Sequence, residues 1–313
     1  MIIDNRIASH MNLLVVGAIA YDSIETVNGS AYDALGGSAA YFSVAARFFA
    51  PVSVIAAVGS DFRAESRRIL AERDIDLRGL EQRPGKTLRW HGRYHADMNH
   101  RDTLDLTLNV FENFSPRLRP DQRRCDYLFL GNIAPDLQAW VLSQLDHPKL
   151  VAADTMTHWI KNSGAQLRKL LPRIDVIMLN EEETCLLSGE ADLLKAGNAI
   201  LKMGPKTVIL KRGERGVLAF SRDTIFAAPA YPVKHVIDPT GAGDSFAGAF
   251  MGYIAREEGI SEAVLHTAIL YGSALASFAV EKFSLDRLLA LSWKEINARY
   301  LALIDLTSTN SRR

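Results

Sequence analysis

Short apolar segments alternate with longer segments of helical periodicity through most of the chain. This alternation predicts a mostly parallel β-sheet covered by helices, because each apolar segment reads as a strand buried on both faces. The predicted core strands are Leu13–Gly17, Val52–Val58, Tyr127–Leu130, Leu150–Ala153, Val176–Leu179 and Thr207–Leu210. The predicted helices are Ser38–Phe49, Ala64–Glu72, Leu137–Leu145, Gly164–Leu171, Glu181–Ser188, Ala191–Met203, Asp244–Glu258 and Ser261–Val280.

One region follows a different pattern, in which apolar and polar residues alternate with a period of two. The alternation runs over residues 87–96 and again over 103–110, with a polar segment between them. This pattern predicts an antiparallel hairpin with one face in water. We expect a small β lid formed by about residues 23–35 and 87–110, although the pattern also fits an edge hairpin without a function.

Histidines in the same region raise the question of a metal site. His91 and His95 share one face of the predicted strand, and His100 is close in sequence. Arg89 and Arg93 share that face and would repel a cation, and no carboxylate stands at a suitable spacing. The sequence therefore favours a solvated face over a metal centre.

Composition narrows the choice of partner. Lys plus Arg and Asp plus Glu number 36 each, so the chain of 313 residues carries no formal net charge. Such a chain lacks the broad basic surface with which proteins bind nucleic acids and anionic membranes. We expect a small-molecule partner, no nucleic acid and no membrane.

Length and the absence of targeting signals complete this picture. The chain has an ordinary globular composition, and α/β folds of this size often form one unit, so we expect residues 1–313 to be a single domain. No apolar run reaches the about 20 residues of a membrane span. Residues 1–10 include Asp4 and have no apolar core, which predicts a frayed extension rather than a secretory signal. Cytoplasmic localisation is expected.

The most informative stretch is residues 236–250, VIDPTGAGDSFAGAF. An apolar strand precedes Asp-Pro-Thr, which is followed by a turn of small residues and then a helix. Gly241 and Gly243 allow backbone angles that are closed to other residues. The amides of Gly241, Ala242 and Gly243 can therefore converge ahead of the helix N-terminus, where they would form an anion site.

Asp244 stands at the same place, where a fixed carboxylate would repel a permanently bound phosphate. The arrangement suits a transient anion, because a transferred γ-phosphoryl group gathers charge while Asp244 accepts the proton of the attacking hydroxyl. In an isolated Gly-x-Gly-Asp the aspartate would more simply cap the helix. The complete DPTGAGD stretch favours the base.

DPTGAGDSFAGAF closely resembles the C-terminal signature of the PfkB, or ribokinase-like, family of carbohydrate and nucleoside kinases. The resemblance covers roughly residues 13–280. It implies a three-layer α/β sandwich with a mostly parallel central sheet, and an ATP-dependent, Mg²⁺-using kinase acting on an alcohol group. It also implies that Asp244 is the catalytic base and that the amides of residues 241–243 form the anion hole.

The N-terminal part of the resemblance concerns the acceptor. Asp22 follows the opening strand, as does the family aspartate that binds sugar hydroxyls, although alone it would be taken for a turn residue. Gly36 and Gly37 resemble the family's di-glycine, which lies close to the substrate. Four residues after the second glycine, relatives usually carry an Asn that touches the sugar. Here it is Tyr41, whose ring would either contact a nucleobase or pack in the core.

Two further segments concern the nucleotide and its metal. Residues 180–183 match the family's Asn-x-x-Glu motif, in which Glu183 would orient Mg²⁺, usually through water. Without the resemblance, Glu183 would equally be a first-turn residue that favours the helix dipole. Residues 211–216 resemble the nucleotide-binding Gly-x-x-Gly turn, which is otherwise a plain hairpin turn. The implied nucleotide-binding residues are Asn180, Lys211, Gly213, Gly216 and Thr240.

Several choices stay open. The acceptor is a nucleoside such as adenosine, favoured slightly by Tyr41, or a sugar such as ribose or fructose. A sugar phosphate would need cations such as Arg89, Arg93 and Arg101.

Residues 278–284 lack the small-residue turn with which many relatives bind a monovalent cation, so dependence on that ion is open. An apolar lid face would suit a homodimer; it comprises Leu104, Leu106 and Leu108.

Other function classes fit less well. A P-loop phosphotransferase is excluded because no GxxxxGK[ST] occurs in the chain. An NAD-dependent oxidoreductase would need a third glycine where Phe246 stands. A non-catalytic sugar or nucleoside sensor would have no use for Asp244 beside its phosphate pocket.

Overall fold

The structure is a computed structural model that describes residues 13–307, so the expectation for residues 1–10 lies outside it. Within this range the strands are β1 (Leu13–Val16), β2 (Ala20–Thr26), β3 (Gly29–Gly36), β4 (Val52–Gly59), β5 (Asp76–Arg83), β6 (Leu88–Tyr94), β7 (Arg101–Thr107), β8 (Tyr127–Leu130), β9 (Leu150–Asp154), β10 (Val176–Asn180), β11 (Thr207–Lys211), β12 (Val217–Phe220) and β13 (Ile225–Ala228).

Helices occupy most of the remaining chain. They are α1 (Ser38–Ala46), α2 (Ala64–Ala71), α3 (Pro120–Arg123), α4 (Pro135–Leu142), α5 (Thr157–Asn162), α6 (Gly164–Leu170), α7 (Glu181–Ser188), α8 (Leu193–Leu201), α9 (Ala242–Arg256), α10 (Glu262–Ala279), α11 (Asp286–Leu289) and α12 (Trp293–Thr307). Short 3₁₀ turns lie at Asn109–Phe111, Leu171–Arg173 and Gly213–Arg215. Among the described residues we find no helix with both the length and the apolar character that crossing a bilayer requires.

The large sheet has the order β13-β12-β11-β10-β9-β8-β1-β4-β5. Strands β4, β5, β1, β8, β9, β10 and β11 run parallel, while β12 and β13 add an antiparallel edge. Successive residues of β1 alternate between two apolar cores: Leu13 and Val15 pack with α1, α9 and α10, whereas Leu14 and Val16 pack with α4, α6 and α8. Helices thus cover both faces, and the predicted three-layer α/β sandwich is confirmed.

A second sheet of four strands, here called the small sheet, has the order β3-β2-β6-β7. The predicted hairpin is its β6–β7 pair, and β6 also runs parallel to β2. Strand β7 ends at Thr107, so Leu108 lies outside it, and all its residues are exposed. The observed elements match the sequence pattern, while a lid function for the small sheet stays a prediction.

The six predicted core strands are found within one residue at each end, but β5, β12 and β13 were not predicted. These strands lie at or next to the sheet edges, and β5 is rich in charged and polar residues, so the criterion of a continuous apolar run misses it. Helix α1 ends at Ala46, not Phe49. Helix α9 begins at Ala242, two residues before the predicted start, because Gly241 is its N-cap in the left-handed conformation (φ 75°).

The topology fixes the place of a binding site. In an open sheet of parallel strands, ligands bind in the crevice beyond the carboxyl ends of the strands. Asp154 ends β9, Asn180 ends β10 and Lys211 ends β11, so these polar side chains leave the large sheet at one edge. The small sheet stands over the same edge, since Tyr94 of β6 bonds Thr240 just before α9.

Candidate active site

A cavity of about 1120 Å³ lies between this edge of the large sheet, the small sheet and the N-terminus of α9. It gathers nearly all the site residues predicted from the sequence. Those that line it are Asp22, Gly37, Tyr41, Asn180, Glu183, Lys211, Gly213, Gly216, Thr240, Gly241, Ala242, Gly243 and Asp244. Gly36 lies behind Asp22, where a Cβ would come within 2.0 Å of the Asp22 carboxylate oxygen Oδ2.

The turn before α9 is held by Asp238. Its Oδ1 accepts a hydrogen bond from the amide of Thr240 (2.8 Å), and its Oδ2 accepts one from the amide of Ser284 (3.0 Å). Gly241 must be glycine, because φ is positive and a Cβ would lie 2.3 Å from the Tyr41 ring. The sequence analysis assigned no role to Asp238, although it belongs to the same motif.

One of the three amides predicted to form the anion hole is engaged within the turn. The amide of Ala242 donates to the carbonyl of Pro239 at 3.2 Å, which closes the turn. Among the described residues, no such bond engages the amides of Gly241 and Gly243, so these two are available to an anion. Together with the helix dipole they favour negative charge at the start of α9.

Asp244 lies in the first turn of α9 and faces this cavity. Burial raises the pKa of its carboxyl to about 7, and the negative charge of Asp154 adds to this rise. Lys211 and Arg101 act in the opposite direction. A carboxylate whose pKa lies near neutral pH is suited to accept a proton during catalysis and to release it afterwards.

Lys211 stands beside Asp244. Its Nζ is 2.9 Å from Oδ2 of Asp154 and 3.0 Å from the point where a Cβ on Gly243 would lie. Burial by itself would lower the pKa of Lys211, but the charges of Asp154 and Glu183 outweigh burial and raise it. The ammonium therefore stays charged next to the first turn of α9.

Asn180 and Glu183 form a capping box at the start of α7. The amide of Asn180 donates to Oε2 of Glu183 (2.9 Å), and the amide of Glu183 donates to Oδ1 of Asn180 (2.8 Å). Burial raises the pKa of Glu183 to about 7, and Asp154 adds to the rise. Within residues 13–307 the box engages only Oε2 of Glu183, so Oε1 is not used by it. The helix-capping role is observed, and a free carboxylate oxygen is also the kind of ligand that Mg²⁺ takes, usually through water.

On the small-sheet side of the cavity, Asp22 of β2 accepts a hydrogen bond from the amide of Gly37 through Oδ2 (3.2 Å). Gly37 has a φ of 88°, and a Cβ there would lie 2.5 Å from the carbonyl oxygen of Ala18, so only glycine fits. Burial raises the pKa of Asp22 to about 7, opposed by the Gly37 bond and reinforced by the charges of Asp238 and Asp244. The carboxylate is thus pre-oriented to accept hydroxyl donors.

Tyr41 is only 1% exposed and belongs to the hydrophobic core. Its ring lies directly beneath Gly241, and its hydroxyl has no hydrogen-bond partner among the described residues. This burial matches the packing alternative for Tyr41. Its ring is not displayed to a planar ligand.

Several apolar side chains of the cavity lining were not found by the sequence analysis and are here called the apolar chamber; one of them, Trp90, is the cross-strand partner of Asp22. It is formed by Trp90, Leu106, Phe111, Phe114, Met156 and Trp159. These side chains come from the small sheet, from the segment after it and from the segment after β9, so no local pattern links them. Trp159 is fixed by a hydrogen bond from its Nε1 to Oδ1 of Asn132 (3.1 Å).

The turn after β11 forms the other end of the cavity. Gly213 and Gly216 have positive φ, and the amide of Arg212 donates to the carbonyl of Gly216 (2.8 Å). The small sheet reaches this turn, because Nδ2 of Asn99 donates to Oε2 of Glu214 at 2.9 Å. The small sheet and its β6–β7 turn therefore extend along the cavity from Asp22 to the turn after β11.

Two charged residues of the cavity were missed as site residues. Asp154 gave no motif signal, and only its place at the carboxyl end of a predicted core strand pointed to it. Arg101 was noted only as a cation for a sugar phosphate; it begins β7 and lines the cavity. Both act electrostatically on Asp244.

The histidines of the small sheet are engaged with carboxylates. His91 pairs with Glu25 (3.0 Å) and His95 with Asp102 (3.0 Å). Within residues 13–307 we find no group of three or more His, Cys, Asp or Glu side chains placed to hold a metal ion.

Comparison with known proteins agrees with this geometry. The chain is 28% identical over 263 residues to a cytidine kinase of Thermococcus kodakarensis, covering 81% of this chain and 92% of that protein. A nucleoside kinase of Methanocaldococcus jannaschii, an archaeal member of the ribokinase family, superposes with a TM-score of 0.76 at 19% identity, covering 94% of this chain and 99% of that one. An E. coli protein solved with ATP and Mg²⁺ superposes with a TM-score of 0.77 at 22% identity, covering 93% and 99% of the two chains.

The family itself is identified by sequence. The model of the pfkB family carbohydrate kinases matches residues 11–289, which is most of the chain. The motifs that carried the resemblance, from Asp22 to the DPTGAGD stretch, all fall inside this match. The chain therefore belongs to the pfkB family and is a phosphotransferase that acts on a hydroxyl group.

Proposed function

We propose that this kinase transfers the γ-phosphoryl group of ATP to a hydroxyl of a nucleoside, with a ribose-type sugar as the smaller alternative. The observation that carries the proposal is the apolar chamber, whose Trp90 is paired with Asp22 across β2 and β6. A free sugar presents hydroxyl groups around its ring, and an apolar wall would leave several of them without partners. A nucleobase is planar and largely apolar on its faces, so aromatic walls suit it.

The acceptor end supports a ribosyl group in front of that chamber. Asp22 is buried and held by Gly37, so its carboxylate is placed to accept hydrogen bonds from two neighbouring hydroxyls of one ring. Asp22 and Asp244 line the same cavity, and the charge of Asp244 adds to the rise in the pKa of Asp22, so a ring held by Asp22 would lie close to the base. The relative from Thermococcus, matched over 92% of its length, is a cytidine kinase.

The other end of the cavity suits ATP. Lys211, the amides of Gly241 and Gly243 and the dipole of α9 all favour a triphosphate at the start of this helix. The cavity is also lined by Asn180, Thr240, Gly213 and Gly216. Glu183 would hold Mg²⁺ through its free oxygen, and the metal would shield the phosphate charges when bound.

In the proposed reaction the acceptor oxygen attacks the γ-phosphorus while its proton passes to the carboxylate of Asp244. The bond between the γ-phosphorus and the bridging oxygen breaks, and ADP leaves with the electron pair. Charge on the transferred oxygens is stabilised by the amides of Gly241 and Gly243 and by Lys211. Arg101 would add a second cation from the small sheet.

We infer a single kinase domain in which the small sheet acts as a lid. Two contacts support closure over the cavity: Thr240 donates through Oγ1 to the hydroxyl of Tyr94 (3.2 Å), and Asn99 bonds Glu214. Both join the small sheet to the nucleotide end. Leu104 and Leu106 of β7 are 43% and 41% exposed, and this apolar surface supports a homodimer through the small sheet as part of the same proposal.

A sugar phosphate is a weaker candidate for the acceptor. Arg89 already pairs with Asp33 and Asp61, and Arg93 pairs with Glu25, so these cations are occupied. Hexose phosphorylation has no specific support in the cavity. A non-catalytic sensor has less support still, because Asp244 has the electrostatic environment of a base.

The test is a screen of ATP consumption with Mg²⁺ over nucleosides, pentoses, hexoses and sugar phosphates. We expect kcat/KM to be highest for a nucleoside, with ribose lower. The Asp244→Asn variant is the blank for background hydrolysis. A hexose or sugar phosphate as the preferred acceptor would contradict the nucleoside assignment, and turnover of no acceptor would contradict the kinase proposal itself.

A further inference from the structure

We propose that Asp154 is a positioning residue for phosphoryl transfer, because its carboxylate holds the ammonium group of Lys211 against the first turn of α9. The inference rests on the proposed function, since it concerns the same transfer. It assigns a role to a residue that has no signal in the motifs of the sequence.

The two side chains meet across one strand. Asp154 ends β9 and Lys211 ends β11, with β10 between them in the sheet. The distance from Oδ2 of Asp154 to Nζ of Lys211 is 2.9 Å, and the side chains are only 8% and 17% exposed. This pair is therefore partly shielded from water, which strengthens its attraction.

The carboxylate of Asp154 is itself fixed in orientation. Its Oδ1 accepts the amide of Thr155 at 2.7 Å, so Oδ2 is directed to Lys211. The backbone carbonyl of Asp154 accepts a hydrogen bond from Nε2 of the buried Gln138 (3.0 Å). Gln138 also bonds the carbonyl of Gly131, so the ends of β8 and β9 are tied together. Asp154 is thus a rigid anchor.

Lys211 needs such an anchor. A lysine carries a point charge on a flexible stem of four carbons, and three carboxylates lie around this one. Besides Asp154 these are Glu183 and Asp244, both of which interact electrostatically with Lys211. A lysine released from Asp154 would pair with Asp244 or Glu183 instead. Pairing with Asp244 would lower its basicity and withdraw the ammonium from the phosphate site.

Two other roles for Asp154 predict different results. If the pair only stabilised the fold, its loss would lower the unfolding temperature and leave turnover unchanged, although buried ion pairs often add little stability. If Asp154 acted only through its negative charge, without positioning Lys211, its removal would make the phosphate-binding site less negative. ATP would then bind more tightly. If Asp154 positions Lys211, we expect instead that its loss lowers turnover and does not increase the affinity for ATP.

The experiment compares Asp154→Asn, Lys211→Met and the double variant, each assayed with cytidine or with the best acceptor of the screen. We expect kcat to fall between about tenfold and a hundredfold in Asp154→Asn, the scale of a misplaced catalytic group. The KM for ATP should change by less than about threefold. The double variant should be no slower than Lys211→Met alone, because Asp154 acts through Lys211.

The control is the ion pair at the opposite end of β9, where Lys149 binds Asp126 at 3.0 Å. Lys149→Met should leave kcat unchanged. If Asp154→Asn does not fold, Asp154→Glu takes its place, because it keeps the charge while moving the carboxylate by one methylene. Lower kcat at an unchanged unfolding temperature supports positioning, and unchanged kcat in the folded variant overturns it.

Further outcomes separate the inference from its competitors. If the loss of kcat in the double variant equals the product of the losses in the two single variants, Asp154 acts independently of Lys211. A shift in the Mg²⁺ titration of Asp154→Asn would assign the carboxylate to the metal. Either result overturns the inference while leaving the kinase proposal intact. If the wild type phosphorylates no acceptor at all, the proposed function fails first and the inference fails with it.

Discussion

Replacing Asp244 with Asn tests the central chemical step. The amide has the size of the carboxylate and can stay in the first turn of α9, but it cannot accept the proton of the attacking hydroxyl. Because burial brings the pKa of Asp244 to about 7, the wild-type base is matched to neutral pH. A general base in this position contributes about 10²–10⁴ in rate. We expect kcat to fall by about 10³, or about 4 kcal/mol in the barrier.

The assay follows ADP release at saturating acceptor while ATP is varied. The KM for ATP should change little, since Lys211 and the amides of Gly241 and Gly243 are untouched.

The pH profile adds a second readout. Only the ionised carboxylate accepts a proton, so wild-type kcat/KM should be lost as the pH falls through about 7. The residual activity of Asp244→Asn should lack this acid limb.

Stability supplies the internal control. A carboxyl whose pKa is raised by folding destabilises the native state progressively as the pH rises from its ordinary value to about 7, because the folded protein disfavours the charge. Asn at position 244 carries no such charge. At pH 8 the variant should therefore unfold at an equal or higher temperature than the wild type, and the difference should shrink toward acid pH. A variant that keeps more than about a tenth of wild-type kcat, or keeps the acid limb, would refute the assignment of the base.

Two further predictions concern the metal and the lid. Glu183→Gln should raise the Mg²⁺ concentration needed for half-maximal activity while preserving the start of α7, since the amide oxygen can still accept the hydrogen bond from Asn180; an unchanged Mg²⁺ titration would count against the metal role. The acceptor with an ATP analogue should slow amide hydrogen exchange over residues 87–110, and equal exchange with and without ligands would contradict lid closure.

The sequence was sufficient for the large sheet because its strands carry a local signal. A strand such as β8, Tyr127–Leu130, is buried on both faces and reads as an uninterrupted apolar run. Strand β5 is the edge strand next to β4 and carries Asp76, Arg78 and Glu81, so the criterion of a continuous apolar run misses it. The early start of α9 has a similar cause. Gly241 caps the helix through a backbone angle, and the side-chain pattern does not report that angle.

The candidate site divides in the same way. Asp244 and the glycines before it form one contiguous segment, and the structure keeps that segment together at one wall of the cavity. The partnership of Asp154 with Lys211 depends on which strands are neighbours, with β10 inserted between theirs, and no local spacing encodes it. The apolar chamber includes Trp90 and Trp159, which line one cavity only after the two sheets are assembled. Motifs thus predicted the chemistry, and tertiary contacts were needed to propose the acceptor.

The charges of the cavity finally connect the two sheets. Asp154, Glu183 and Asp244 all interact with Lys211, and the pKa values of Glu183 and Asp244 rise to about 7 because burial and the negative charge of Asp154 disfavour their ionised forms. A protein retains such an unfavourable cluster where a ligand or a chemical step requires it. Arg101, which belongs to the small sheet, opposes this rise and lowers the pKa values of Glu183 and Asp244. Movement of that sheet would therefore change the basicity of Asp244 as well as access to the cavity, so lid closure and activation of the base should be coupled.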